Sequence, residues 1–189
     1  MVLPIVKYGD PVLRERGAQI EELTPEIENL INDMLETMRD AAGIGLAAQQ
    51  IGKAVQLTVI DVSEVTDRPS SMEIDGQEVD LADHMPMNLI NPELTLSGKR
   101  EEGPEGCLSF PEIYEEVIRP VDVEVKALNG KGEPVHFKAG GLLSRCIQHE
   151  TDHLNGILFI DRMSREAKFH IKEEVDELFE ATRKELGLA

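Results

Sequence analysis

Residues 141–156 read GLLSRCIQHETDHLNG, and this stretch decides how the rest of the chain is interpreted. Apolar residues recur at helical spacing and Asn155-Gly156 is a helix stop signal, so we predict a helix from Gly141 to about Leu154. His149 and His153 then lie one turn apart on the same face, where both imidazoles can bind one metal ion. Glu150 is close enough to take a proton from a water on that metal. The stretch therefore predicts metal-dependent hydrolysis.

The alternative is that the two histidines form a solvated pair on a helix surface. Leu142 and Cys146 share the face of His149 and His153, and a face with this composition is expected to be partly buried. A buried pair of histidines one turn apart favours the metal site over the solvated pair.

Two histidines do not complete a metal site, so the third ligand decides the class of enzyme. A metzincin would have a third histidine where Phe159 stands, which excludes that class. Glu173 or Glu174, about twenty residues downstream, would make the protein an HExxH zinc endopeptidase. Cys107, within EGCLSF at 105–110, would instead give a Cys-His-His site with one position open to water. The residues alone leave both possibilities open.

Composition excludes several other functions. The 189 residues predict one domain, 1–189, and 41% hydrophobic residues can form a sizeable core. With 19 basic and 37 acidic residues the net charge is −18, which disfavours binding to nucleic acid or to an anionic membrane. The sequence has no run long enough to span a membrane and no secretory signal, so we expect a cytoplasmic protein. Two cysteines cannot make a disulfide scaffold.

The remaining pattern predicts an α+β fold of antiparallel strands and hairpins packed around the HExxH helix. A helix starts at Thr24-Pro25 and ends near Asp40, and a long amphipathic helix starts at Ser164. Short strands are expected at 54–61, 87–90, 94–96, 121–125 and 134–138. Residues 61–84 hold eight acidic residues and one basic residue without apolar periodicity, which predicts an acidic loop or ribbon inserted in the domain.

Three motifs together resemble the peptide deformylase family. They are GIGLAAQQ at 43–50, EGCLS at 105–109 and QHETDHLNG at 148–156, in the order and roughly the spacing of that family. The resemblance covers most of the chain. It implies a hydrolase that removes the formyl group from the N-formylmethionine of newly made polypeptides and releases formate, with transient ribosome contact.

The resemblance also implies a role for each motif residue. Cys107, His149 and His153 would be the metal ligands, and Glu150 would be the general acid and base. The side-chain amide of Gln50 and the backbone N–H of Leu108 would donate to the reacting oxygen. The family implies Fe(II), while zinc, nickel or cobalt also suit a thiolate and two imidazoles.

A substrate pocket is expected beside these residues. Gly43 and Gly45 would let backbone approach an extended peptide closely. The expected lining is Gly43, Ile44, Gly45, Glu105, Leu142 and Cys146, with Ile44, Leu142 and Cys146 around the methionine side chain. Off the ligand face, we expect Asp152 to pair with Arg119. A binding module without turnover is the remaining alternative, and the presence of Glu150 and Gln50 disfavours it.

Overall fold

A computed structural model describes residues 1–188 and shows an antiparallel sheet packed against helices, which confirms the α+β prediction. The elements are α1 (Pro25–Asp40), β1 (Gly45–Ala47), β2 (Leu57–Ile60), β3 (Ser70–Ile74), β4 (Gln77–Glu78), β5 (Met87–Cys107), β6 (Phe110–Leu128), β7 (Pro134–Gly140), α2 (Gly141–Leu154), α3 (Arg165–His170) and α4 (Lys172–Glu185). The seven strands lie in the order β1-β2-β5-β6-β7-β3-β4. None of the helices within residues 1–188 is long and apolar enough to cross a membrane.

Helix α1 has the predicted bounds. The Thr24 hydroxyl accepts a hydrogen bond from the N–H of Ile27 at 3.4 Å, and Pro25 occupies the first turn, where no N–H is needed. Its apolar stripe, including Ile31, Met34 and Met38, packs against β1 and β2. This packing holds the chain that leads into the 43–50 motif.

Strands β5 and β6 form one long hairpin, where the sequence predicted several short strands. The interruption expected between the strands at 87–90 and 94–96, where Asn91-Pro92 is a local turn signal, is only an irregularity between Ile90 and Glu93. Asn91 has φ 51°, and pairing resumes beyond it. The partner strand β6 continues through this point, so tertiary pairing overrides the local turn signal. The hairpin ends with Cys107 opposite Phe110, which places Cys107 beside the tight turn at Leu108.

Helix α2 has the predicted bounds and lies in the centre of the molecule, with twelve of its 14 residues buried. Its C-terminus closes with two hydrogen bonds typical of a Schellman motif. The N–H of Gly156 donates to the carbonyl of His153 and the N–H of Ile157 donates to the carbonyl of Asp152. Gly156 has φ 72°, and a Cβ there would lie 2.5 Å from the Arg14 carbonyl oxygen, so glycine is required at this position.

The acidic segment 61–84 is a ribbon attached to the sheet and not a free loop. Strand β3 pairs with β7, with Met72 opposite Ala139, and turns back into β4. Met72 is buried in the core, an apolar contact that the acidic composition of the segment concealed. The carbonyl of Pro69 accepts from the N–H of Leu142, and the Ser70 hydroxyl accepts from the N–H of Leu143. These two bonds join the segment to the first turn of α2.

The predicted long final helix is divided at Ile171 into α3 and α4. Ile171 has φ −107° and ψ 8°, outside helical geometry, and its side chain is buried among Ala167, Phe159 and Phe110. We attribute the division to this packing, because no glycine or proline marks the position in the sequence.

Candidate metal centre and active site

The structure brings Cys107, His149 and His153 together. One ligand atom from each residue lies within 4.8 Å of the others, and Cys107 Sγ is 3.3 Å from Nε2 of His153. The thiol comes from the end of β5 and both imidazoles come from one face of α2, so the packing of the hairpin tip against the helix creates the cluster.

The chemistry of this cluster fits a transition metal ion. One sulfur and two imidazole nitrogens are a donor set that borderline and soft divalent metals accept, and three protein ligands leave a position for water or substrate. Burial holds the pKa of His153 well below its usual value, which keeps its imidazole in the neutral form that binds metals. Both histidines are buried and Cys107 is partly exposed towards the pocket.

Glu105 supports the cluster from behind. Nδ1 of His149 contacts Oε1 of Glu105 at 2.8 Å, which orients the ring with Nε2 available for a metal. Arg119 donates twice to this carboxylate, at 2.6 and 2.9 Å, and Arg145 donates at 2.8 Å. Burial opposes ionisation, yet the hydrogen bonds from His149 and Arg119 hold the pKa of Glu105 well below its usual value.

The same contacts determine what the carboxylate of Glu105 can bind. The residue borders the pocket, but both of its carboxylate oxygens are occupied by the donors of His149, Arg119 and Arg145. Glu105 therefore orients the ring of His149, a metal-ligand candidate.

A second carboxylate continues the network beneath the helix. The predicted pair of Asp152 and Arg119 is confirmed at 2.9 Å, and Arg162 adds two donors to Asp152 at 3.1 and 2.8 Å. Sequence reasoning missed Arg145 and Arg162. Arg145 lies one turn before His149 on α2, and this spacing was a usable signal. Nothing in the sequence places Arg162 next to Asp152, because that contact depends on the turn after α2.

Glu150 is buried beside the cluster without a hydrogen-bond partner for Oε2 in the part of the chain that is described. Burial raises the pKa of Glu150 to about 7. A Cβ on Gly45 would lie 2.5 Å from Oε1 of Glu150. Glycine at 45 thus makes room for this carboxylate. The sequence suggested a different reason, the close approach of a bound peptide, but the contact with Glu150 is the one that the structure shows.

Gln50 and Leu108 also border the cluster. The side-chain carbonyl of Gln50 accepts from the N–H of Ala47 at 2.9 Å, which fixes the amide. Its NH₂ group faces Ser109 Oγ at 3.2 Å and Cys107 Sγ at 3.5 Å, so it points at the cluster. Leu108 packs close to Gly43, where a Cβ would lie 2.7 Å from the Leu108 Cδ1 atom.

A pocket of about 350 Å³ opens above these groups. Its lining includes eleven of the twelve predicted site residues, all except His153: Gly43, Ile44, Gly45, Gln50, Glu105, Cys107, Leu108, Leu142, Cys146, His149 and Glu150. Burial raises the pKa of the Cys146 thiol well above its usual value, so this cysteine is a neutral wall residue. His153 is buried and is not one of the residues that line the pocket.

The endopeptidase alternative is not favoured. Glu173 and Glu174 lie exposed on α4, and the potential metal cluster in residues 1–188 is formed without them. A thiol-imidazole cluster, a desolvated glutamate and an adjoining pocket together define the class of metal-dependent hydrolases.

Comparison with known proteins identifies the family. The polypeptide deformylase family model matches residues 2–169, and the chain belongs to the peptide deformylase family. It is 47% identical over 178 residues to a peptide deformylase of Methylacidiphilum infernorum, covering 94% of this chain and 93% of the relative. It is 45% identical to one of Opitutus terrae, covering 97% and 96%.

Solved structures agree with this result. A plant peptide deformylase crystal structure matches with a TM-score of 0.84 at 36% identity, covering 98% of this chain and 94% of the plant chain. A peptide deformylase from Legionella pneumophila matches with a TM-score of 0.78 at 36% identity, covering 94% and 95%. Members of this family are metal-dependent hydrolases that remove the N-formyl group from nascent peptides.

Proposed function

We propose that Cys107, His149 and His153 hold one Fe(II) ion and that Glu150, Gln50 and Leu108 carry out deformylation around it. The observation that carries the proposal is the convergence of one sulfur and two imidazoles within 4.8 Å, beside a buried glutamate at the base of a pocket. When bound, such a metal activates water and polarises a carbonyl group.

The protein groups account for the proton transfers. Glu150, with a pKa of about 7, takes a proton from the attacking water and delivers it to the amine as the formyl C–N bond breaks. The NH₂ group of Gln50 and the N–H of Leu108 donate to the formyl oxygen as it gains negative charge, an interaction typically worth about 3 kcal/mol per donor. The products are formate and a peptide with a free methionyl amino group.

The pocket supports a proposal for how the substrate is held. We propose that Ile44, Leu142 and Cys146 surround the methionine side chain, because these residues form its apolar wall next to the cluster. Gly43 lies at the same edge, and its lack of a side chain keeps that edge open to an extended peptide.

The proposal extends to the setting of the enzyme. Residues 1–189 form one catalytic domain, with 61–84 as an accessory ribbon. A cytoplasmic location suits a metal thiolate, because a reducing compartment protects Cys107 from oxidation. We expect any ribosome contact to be transient and to use a local basic patch or a ribosomal protein, because a net charge of −18 disfavours direct contact with RNA.

Anaerobic purification tests the choice of metal. Protein prepared without oxygen and loaded separately with Fe(II), Zn(II), Ni(II) or Co(II) should bind about one ion per chain in each case. The Fe(II) form should release formate from formyl-Met-Ala-Ser and lose activity in air. An Fe(II) form that is less active than the zinc form would contradict the choice of iron, while leaving the three ligands in place.

A further inference from the structure

Arg68 is a cation of the substrate pocket that the reaction does not use. It belongs to the 61–84 ribbon, is half buried and lines the pocket together with Leu142 and Cys146. Within residues 1–188 it makes neither an ion pair nor a hydrogen bond that would explain its position.

The ribbon holds Arg68 there. Pro69 and Ser70, the next two residues, accept hydrogen bonds from the first turn of α2 at 2.9 and 3.0 Å. Gly141 has φ 64°, and a Cβ there would lie 2.2 Å from the Pro69 carbonyl oxygen, so the two segments are in close contact. The helix that carries the two histidines therefore also fixes the backbone next to Arg68.

Most of the other charged residues that line the pocket are paired or buried. Glu105 and Arg145 pair with each other at 2.8 Å. Glu150 is buried. This leaves Arg68 on the ribbon and Glu112 on β6 as the charged groups that an incoming peptide meets at the rim.

We infer that Arg68 is a specificity residue that pairs with an acidic side chain in the first two positions after formylmethionine. This inference rests on the proposed function, since it assumes that Leu142 and Cys146 hold the methionine. A formylated substrate has no charged amino group, so its side chains carry the charge nearest to the pocket. Arg68 lies beside the methionine wall and attracts a carboxylate there, whereas Glu112 attracts a cation at its own part of the rim.

Matched peptides test the inference. Values of kcat/KM are measured for two pairs of peptides. The first pair is formyl-Met-Asp-Ser-amide and formyl-Met-Asn-Ser-amide, and the second pair carries Asp or Asn at the third position instead of the second. The amides remove the terminal carboxylate, and Asp and Asn are nearly the same size. At one of the two positions the Asp peptide should exceed the Asn peptide by about threefold to fivefold, mainly through KM, with a smaller ratio at high salt.

Variants assign the preference to Arg68. R68Q should bring the Asp/Asn ratio to about one, and R68K should retain part of the preference, with formyl-Met-Ala-Ser-amide as the reference peptide. R100Q is the matched control, since it removes the same charge from a residue outside the pocket and should keep the wild-type ratio.

Three results would overturn the inference. The first is an Asp/Asn ratio of kcat/KM that is one or less at both positions in the wild type, and the second is an unchanged ratio in R68Q. The third is an equal loss of kcat/KM for the Asp and Asn peptides in R68Q, which would indicate that Arg68 binds the peptide backbone. Absence of formate release from every peptide, including formyl-Met-Ala-Ser-amide, would overturn the proposed function itself. Release from formyl-Met-Ala-Ser-amide therefore separates failure of the inference from failure of the proposed function.

Discussion

Helices α2 and α4 each contain 14 residues, and each carries a glutamate candidate for the chemistry, Glu150 on α2 and Glu173 or Glu174 on α4. The two helices differ in how far they are buried. In α2 twelve residues are buried, whereas in α4 only Thr182 is. Glu150 on α2 has its pKa raised to about 7 by burial, while Glu173 and Glu174 on α4 are exposed to solvent. The comparison shows that Glu150 differs from these two glutamates in its burial, and burial is the main cause of its raised pKa.

The same contrast applies to ion pairs. Beneath α2, Arg119 joins Glu105 and Asp152 with a side chain that is 4% exposed. Near the turn that leads to the final helices, Arg14 and Asp161 form a pair that is 43% and 37% exposed. A buried pair that loses one partner leaves an uncompensated charge, whereas an exposed pair is replaced by water.

The largest effect is expected for E150Q. This change keeps the shape of the side chain but removes the carboxylate that we propose transfers the proton, so kcat/KM should fall by about 10²–10⁴-fold with metal content unchanged. E173Q is the matched change on α4 and should leave formate release unaffected. An E150Q enzyme with more than a tenth of wild-type activity would contradict the assigned role of the buried glutamate.

Loss of Arg119 should be the next largest effect, measured as stability. R119M leaves Glu105 and Asp152 buried without their shared partner, and the free energy of unfolding should fall by about 3–5 kcal/mol. Urea denaturation of the metal-free protein measures this change. R14M is the exposed comparison and should cost about 1 kcal/mol or less. Similar losses for both variants would show that burial does not separate the two pairs.

G45A tests how tightly Glu150 is positioned. A methyl group at this position would lie 2.5 Å from the carboxylate oxygen, so the side chain must move. Displacement of a catalytic group by about 1 Å can cost up to about 100-fold in rate, and we expect kcat to fall by about 10–100-fold. Metal content should be unchanged, because neither imidazole is touched. Wild-type kcat in G45A would show that the position of Glu150 is not critical.

The smallest effect is expected on α4. Phe179 is 39% exposed, and its ring lies 5.2 Å from that of Tyr8. F179A should lower the free energy of unfolding by about 1–2 kcal/mol, since it removes a half-exposed aromatic contact. Formate release measured well below the melting temperature should be unchanged. A large loss of activity would indicate that α4 contributes to the site.

The sequence predicted the parts of the fold that depend on local pattern. Helices α1 and α2 have the expected bounds, because caps, spacing and a stop signal agree along each of them. The long β5–β6 hairpin and the division at Ile171 were missed, since both depend on packing between distant segments. In the site, the motifs predicted the Cys107–His149–His153 cluster that the structure contains.

The residues around that cluster were harder to predict. The resemblance placed Glu105 near the site but did not show that its oxygens are occupied by His149, Arg119 and Arg145. Arg68 was hidden within an acidic stretch that composition identifies only as solvated. Its position follows from hydrogen bonds between the ribbon and α2, which no short motif encodes.

The two cysteines allow the most direct test of the metal centre. Metal content and formate release are measured together on anaerobic, Fe(II)-loaded wild type, C107A and C146A. We predict about one ion per chain in the wild type and in C146A, and neither a bound ion nor formate release in C107A. Stoichiometric metal in C107A, or its loss in C146A alone, would contradict the assignment of Cys107, His149 and His153 as the metal ligands.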